Sequence, residues 1–132
     1  MSNPSKDKGT RGETSVVRYL NAHGLPSGRK ALAGSDDQGD LFVMLGAGGE
    51  EVTLEVKAGK QTTNPSRSLM SKWKDETLRE GRNSGHRCAL VVVRYNRPLK
   101  NAEVWMPNSQ WGGVDGWTMM HIDEFADLKW GG

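Results

Sequence analysis

Residues 41–45 form a continuous apolar run, and polar and aliphatic residues alternate along 51–57; the glycine-rich sequence 46–49 separates the two segments. Two such segments, from Asp40 to Leu45 and from Glu51 to Lys57, joined by a short glycine-rich turn predict a β-hairpin. Side chains along a strand point alternately to opposite faces, so the polar residues of the second segment share one face. The pattern therefore places Glu55 and Lys57 next to each other on the same side of the hairpin.

A first helix is predicted before the hairpin, because the apolar residues within 16–20 have the spacing of one buried helical stripe. Thr10 is followed three residues later by Glu13, which is the pattern of a capping box. We therefore expect the helix to begin at Thr10. Glu13 has this structural explanation besides any chemical one.

A second helix is predicted to follow Asn64 and Pro65, which supply a cap and a first-turn proline, and to end near Gly81. Most of its apolar residues fall within one quadrant, with Leu78 as the exception, and its basic residues spread over the opposite side. The apolar side holds Leu69, Met70, Trp73 and Thr77, and the basic side holds Arg67, Lys72, Lys74, Arg79 and Arg82. A basic helix face is either a solvated surface or a contact surface for nucleic acid.

The remaining segments predict a valine-rich buried strand at 88–94, shorter strands at 103–106 and 117–121, and a closing helix at 122–128. A further short strand is possible at 30–33. This order of elements predicts an α/β fold bordering on α+β, with one mixed sheet flanked by helices on both faces.

The composition fits one small domain. The chain has 132 residues, of which 35% are hydrophobic, and we expect a flexible segment at 1–8 followed by a single domain at 9–132. No apolar run approaches the roughly 20 residues of a membrane helix, and the polar start has no signal-peptide pattern. With Cys88 as its one cysteine, the chain is expected to work in the cytoplasm, without a membrane partner.

Charge is distributed unevenly along the chain. The formal net charge is +2, but residues 1–35 carry +4, residues 36–60 carry −4, residues 61–100 carry +6 and residues 101–132 carry −4. Basic segments on both sides of an acidic one suit a protein that holds a polyanion with its flanks and a cation in the middle. Ordinary clustering of surface charge is the alternative.

The acidic segment contains a plausible metal site. Asp40 and Glu55 fall at about the same level on the two strands of the predicted hairpin, and Mg²⁺ is usually held by one or two carboxylates plus waters and substrate phosphate. Lys57 shares the face of Glu55, where it can orient or deprotonate a water or stabilise charge on a phosphate. A metal, a lysine and a basic groove together indicate phosphodiester hydrolysis.

Gly39-Asp40 followed by Glu55-Val56-Lys57 on the second strand of a hairpin resembles the motif of the PD-(D/E)XK nucleases. With the sequence Lys8-Gly-Thr-Arg-Gly-Glu13, Arg29 and Gly34-Ser35, residues 6–95 look like the archaeal-type Holliday junction resolvases and their small phage-encoded relatives. The resemblance implies a restriction-endonuclease-like fold. It also implies a metal-dependent endonuclease that cuts branched or duplex DNA as a homodimer.

Position by position, the resemblance implies that Asp40 and Glu55 are metal ligands, with the backbone carbonyl of Val56 as a third. Lys57 would be the catalytic lysine and Glu13 a further acid. The cofactor would be Mg²⁺, with Mn²⁺ able to replace it. Candidate DNA contacts are Lys8, Arg11, Arg29, Lys30, Ser35, Lys60, Arg67, Lys72 and Lys74.

One expected feature of the resemblance is missing. The helix after the hairpin often carries a glutamine that faces the site in this family, but residues 66–82 contain none, and Gln61 is the nearest.

Other functions remain open at this point. Charged residues on the open face of any antiparallel hairpin would produce the same short motif. The alternatives within the fold are a nickase, a flap nuclease or a restriction-type repair nuclease, and outside catalysis an inactive DNA-binding module. The tryptophans at 105, 111, 117 and 130 favour a small core or a dimer contact over base stacking. His23, His86 and His121 show no metal-ligand spacing and are expected to be structural.

Overall fold

The computed structural model of the chain describes residues 4–29, 41–46 and 49–128, with residues 4–10 described as backbone. These residues form a six-stranded sheet in which the strands follow one another in sequence order. The strands are β1 (Ser27–Arg29), β2 (Leu41–Leu45), β3 (Glu50–Lys57), β4 (Arg87–Val92), β5 (Glu103–Pro107) and β6 (Trp117–His121). The pairing of β3 with β4 is parallel, and each other pair of neighbours is antiparallel.

Helices cover both faces of this sheet. They are α1 (Pro4–Ala22), α2 (Arg67–Ser84) and α3 (Ile122–Asp127). Residues of α1 and α3 pack in one apolar cluster on one face, whereas α2 packs in a second cluster on the other. The predicted mixed sheet flanked by helices is thereby confirmed, and the fold is α+β. Among the helices that the structure describes, none is both long and apolar enough to cross a membrane.

The alternation of side chains along β4 divides the core between the two faces. Val91 belongs to the larger cluster, where it lies with Val16 of α1 and Phe125 of α3. Leu90 and Val92 point the other way and pack under Trp73 of α2. All of these side chains are at most 2% exposed, and burying each one fully stabilises the fold by about 1.5–3 kcal/mol.

The predicted hairpin is present, with Leu41 of β2 paired to Leu54 of β3. The polar face of β3 is turned toward α2, since the Thr53 hydroxyl donates to Ser84 Oγ at 2.8 Å. Asp40, which precedes Leu41 in the chain, lies outside the described residues, as does the possible strand at 30–33. The strand that pairs with the outer side of β2 is Ser27–Arg29.

The predicted starts of both long helices are wrong. The first helix begins at Pro4 rather than Thr10, in agreement with the preference of proline for a first helical turn. Thr10 and Glu13 therefore lie inside α1, beyond its first turn, and Thr10 is not at the start of the helix. In α2 the N-cap is Ser66 and not Asn64, since the Ser66 hydroxyl accepts a hydrogen bond from the Leu69 amide at 3.1 Å.

A glycine allows α1 to approach the end of β3. Gly12 is buried, and a Cβ at this position would lie 2.5 Å from the Cβ of Ala58, the residue that follows β3. Neither carbon can rotate away, because each is bonded directly to the backbone. The contact therefore sets the position of α1, and of Glu13 next to Gly12, relative to the end of β3.

We expect Gly12→Ala to lower the free energy of unfolding by about 1–3 kcal/mol, the usual cost of overpacking a tight contact. The loss should appear although alanine favours a helix over glycine by roughly 1 kcal/mol. Urea denaturation followed by circular dichroism measures the change. Adding Ala58→Gly should recover part of the loss, and a Gly12→Ala protein more stable than the wild type would contradict this account of the contact.

Candidate active site

Two carboxylates and one ammonium group meet at the carboxyl end of β3. Lys57 Nζ lies 3.3 Å from Glu55 Oε1 on the same strand and 2.8 Å from Glu76 Oε2 on α2. All three side chains are half-buried between the sheet and the helix, with 19–23% of their area exposed. The prediction that Glu55 and Lys57 share one face of the hairpin is therefore confirmed.

Glu76 is the residue of this cluster that the sequence analysis missed. It follows Trp73 by three positions, so both lie on the side of α2 that faces the sheet, and Trp73 and Thr77 are buried there. α2 contains no glutamine, and Glu76 is its side chain that contacts the lysine. Its spacing of three residues from the apolar Trp73 indicates that Glu76 faces the sheet. The nearby Lys74 and Arg79 instead gave this part of the helix the appearance of a solvent-facing basic segment.

Two opposing effects set the pKa of Lys57. Partial burial is the largest and lowers the pKa, since it removes water from the charged form. The hydrogen bond to Glu76 and the negative charges of Glu55 and Glu76 act in the other direction, and together they leave the pKa of Lys57 above its ordinary value of 10.5. Lys57 therefore carries a positive charge at neutral pH.

Glu13 and Arg29, both predicted site residues, form a second pair. Glu13 Oε2 lies 2.6 Å from a guanidinium nitrogen of Arg29, which joins α1 to β1. Glu13 thus has a structural partner other than the predicted helix cap. The contact of Gly12 with Ala58 links this pair to the end of β3, because Glu13 is adjacent to Gly12 and Ala58 is adjacent to Lys57.

The predicted DNA contacts have different surroundings. Arg11, Lys60, Arg67 and Lys72 are exposed. Lys74 instead lies over two aromatic rings, 4.6 Å from the Trp105 ring centre and 5.7 Å from that of Trp117. Lys30 and Ser35 lie outside the described residues, and Lys8 is described as backbone within α1.

Gln61, the glutamine nearest to the predicted site in the sequence, does not reach into the cluster. Its side-chain amide donates to the carbonyl of Ala58 at 3.1 Å, and the residue is exposed. Val56 lies between Glu55 and Lys57 with its side chain against the larger core cluster. The role of its carbonyl as a ligand stays a prediction.

Glu55 and Glu76 are the carboxylates that surround Lys57 in the described part of the chain. Within residues 4–29, 41–46 and 49–128 there is no group of three or more histidine, cysteine, aspartate or glutamate side chains that could hold a metal ion. The predicted ligand Asp40 is not among these residues. The described donors are carboxylate oxygens, the kind that Mg²⁺ and Mn²⁺ prefer over nitrogen or sulfur.

The histidines and the cysteine have packing or surface contacts. His23 stacks on Tyr19, with ring centres 4.1 Å apart, and His86 Nε2 lies 3.0 Å from Glu51 Oε2. His121 Nδ1 lies 3.3 Å from Glu124 Oε1. Cys88 is fully buried, and burial raises the pKa of its thiol, which makes it a poor nucleophile.

Comparison of the chain with models of protein families, with curated proteins and with solved structures found no match.

We expect Glu76→Gln to lower the pKa of Lys57 in the metal-free protein, because the lysine loses a charged partner and remains partly buried. NMR titration of the lysine side chains with ¹³C labelling measures this pKa, and the exposed Lys100 serves as the internal control. An unchanged Lys57 titration would contradict the assigned ion pair.

The same pair has a defined effect on stability. A folded-state pKa above the unfolded value means that the stabilisation is fully present below the unfolded pKa of about 10.4 and is lost as pH rises through the folded-state pKa. The wild type and Glu76→Gln should therefore converge in free energy of unfolding at strongly alkaline pH.

Proposed function

We propose that the protein is a metal-dependent endonuclease that hydrolyses phosphodiester bonds in DNA. One observation carries the proposal. Glu55 and Lys57 lie together at the end of β3, and a second carboxylate, Glu76, contacts the same lysine. The motif that resembles the PD-(D/E)XK nucleases supplies Glu55 and Lys57, and the mixed sheet flanked by helices is the architecture which that resemblance implies.

The donor chemistry fits a hard divalent cation. Glu55 and Glu76 each place an oxygen within 3.3 Å of one ammonium nitrogen, so a positive charge already lies between two carboxylates. We assign Asp40, Glu55 and the carbonyl of Val56 as ligands of Mg²⁺, for which Mn²⁺ could substitute. The pairing of Leu41 with Leu54 supports this choice, since these residues are bonded to Asp40 and Glu55. Such an ion supplies water activation and neutralises phosphate charge.

The residues of the chain have separate tasks in this proposal. Lys57 holds a positive charge beside Glu55, where its N–H groups can orient the attacking water and stabilise charge on the phosphate. Glu76 is a positioning residue. Its Oε2 lies 2.8 Å from Lys57 Nζ and restrains the lysine, whereas its negative charge would repel a DNA phosphate. Glu13 restrains Arg29 in the same way, and Arg29 is the candidate for a phosphate contact near the cut.

Branched DNA, and Holliday junctions in particular, is the substrate that we propose, on the basis of the resemblance. Resolution of a junction requires cuts in two strands, and a chain of 132 residues carries one candidate site. Two copies related by a twofold axis would place two such sites in a fixed relation. We therefore propose a homodimer as the active form.

We expect Glu55→Gln and Asp40→Asn each to reduce Mg²⁺-dependent cleavage of a labelled four-way junction by about a hundredfold or more, because transition-state charge is no longer neutralised. Binding of the junction, measured by fluorescence anisotropy in EDTA, should change little. Gel electrophoresis of the reaction products gives the cleavage rate.

Glu50→Gln is the matched control, since Glu50 lies on the same strand at its opposite end and contacts Arg87 at the surface. It should leave cleavage unchanged. Wild-type rates in both site variants would contradict the assignment. A wild-type protein that binds DNA but yields no product with Mg²⁺ or Mn²⁺ would instead support the inactive DNA-binding module.

The substrate and the dimer are tested together. At fixed salt, the wild type should cut a four-way junction faster than a flap or a linear duplex, and it should nick two strands. Mixed dimers of wild type and Glu55→Gln should release a product nicked in one strand only, because one subunit lacks a ligand. Equal or faster cleavage of flaps or linear duplex would favour the other nucleases named above.

A further inference from the structure

Two adjoining clefts lie where β3 and β4 end, on either side of the loop that follows β4. One has a volume of about 390 Å³ and is lined by Lys60, Thr63, Arg94, Tyr95, Asn96 and Arg97. The other has a volume of about 320 Å³ and shares residues 94–97, with Arg11, Gly12 and Ser15 of α1 on its opposite wall. Arg11 and Lys60 are predicted DNA contacts, whereas the loop at 94–97 holds no predicted site residue.

The lining of both clefts is basic. Neither lining includes a carboxylate side chain. Arg94 is neutralised by Glu103, which accepts from its Nε at 2.8 Å and from a terminal nitrogen at 3.1 Å. Lys60 and Arg97 are exposed and form no ion pair with another residue in the described part of the chain. Lys60 and Arg97 are therefore the cleft residues whose positive charge no described carboxylate neutralises.

The walls of the clefts are held together by hydrogen bonds. The hydroxyl of the buried Thr62 lies 3.0 Å from the carbonyl of Val93 and accepts from the Tyr95 amide at 2.9 Å. Arg94 also donates to the carbonyl of Thr62 at 3.1 Å. These bonds fix the loop after β4 against the segment after β3. An anion bound between Lys60 and Arg97 would therefore need little reorganisation of the backbone.

The clefts adjoin the candidate active site. The Lys57 carbonyl accepts from the Val93 amide at 2.8 Å, so the cleft loop starts at the level of Lys57. Lys60 follows Lys57 by three residues, a reach of at most about 11 Å. The carboxyl ends of parallel strands are also where open sheets with helices on both faces bind their ligands.

We propose that the paired clefts bind a backbone phosphate of the DNA strand next to the phosphate that is cut, with Lys60 and Arg97 as the principal contacts. This inference rests on the proposed function for the identity of the polyanion. It adds Arg97 to the DNA-binding residues and directs the strand across the ends of β3 and β4. Tyr95 supplies an aromatic ring beside the two cations.

The test compares two charge-matched double variants, Lys60→Gln/Arg97→Gln in the clefts and Arg18→Gln/Lys100→Gln elsewhere on the surface. All four residues are exposed, and circular dichroism verifies that both proteins are folded. Binding of a fluorescein-labelled four-way junction is followed by anisotropy in EDTA over a series of KCl concentrations. The cleft variant should bind about tenfold or more weakly at low salt, and its plot of log affinity against log salt should be shallower by about 1, the loss of one phosphate contact.

The control variant should retain the wild-type slope, and Arg97→Lys, which keeps the charge, should retain most of it. Equal slopes for the two double variants would overturn the proposal. Binding is measured without metal, so the two proposals can fail separately. If the wild type does not cleave DNA but the cleft variant has a shallower salt slope, the nuclease proposal is contradicted and phosphate binding in the clefts is supported. Metal-dependent cleavage by the wild type, together with a wild-type salt slope in the cleft variant, would overturn only the proposal that the clefts bind a phosphate.

Discussion

The parallel pairing of β3 with β4 is the constraint on which the rest of the structure depends. Antiparallel neighbours can be joined by a short turn, but a parallel pair requires the chain to return along the sheet before the second strand begins. α2 makes this return and packs Trp73 over Leu90 and Val92. The same crossing sets Glu76 against Lys57, so the carboxylate cluster is a direct result of the strand pairing. Parallel pairing also brings the ends of β3 and β4 to one edge of the sheet, where the basic clefts open.

The small net charge of the chain conceals two different uses of charge. Half-buried pairs connect separate parts of the fold: Lys57 of β3 pairs with Glu76 of α2, and Arg94 in the loop after β4 pairs with Glu103 of β5. Removal of one member of such a pair leaves the other partly desolvated and unneutralised, which is costly for the fold. Lys60 and Arg97, at the edges of the clefts, form no such ion pair with another described residue. Their charge is therefore available to bind a polyanion. The formal net charge of +2 does not show this, because it adds these free cations to the paired ones.

The tryptophans near the end of the chain illustrate how a basic residue can serve packing. Lys74 was a predicted DNA contact, but its ammonium lies over the rings of Trp105 and Trp117, and Arg87 lies 4.8 Å from the ring centre of Trp111. A cation over an aromatic face contributes about 0.5–2 kcal/mol, depending on its exposure. These contacts support the interpretation of the segment as a small packed region. Trp130 lies outside the described residues.

The sequence by itself determined the local pattern of this protein. Two short segments joined by a glycine-rich turn predicted the hairpin, and alternation along the second one predicted the shared face of Glu55 and Lys57. The valine-rich run at 88–94 predicted the central strand. These patterns are local, so they can be found in the sequence alone. Helix starts were less secure, as Pro4 and Ser66 show, since several neighbouring residues could begin each helix.

Contacts between distant segments were decided by the tertiary structure. The meeting of Glu76 with Lys57, the pairing of Glu13 with Arg29 and the joining of Lys60 and Arg97 in one cleft each unite residues from separate elements. No spacing along the chain encodes such distances, because they depend on how α1 and α2 pack against the sheet. The residue types that could carry chemistry were therefore visible in the sequence, but which of them lie together was set by the close packing of helices on the ends of β3 and β4.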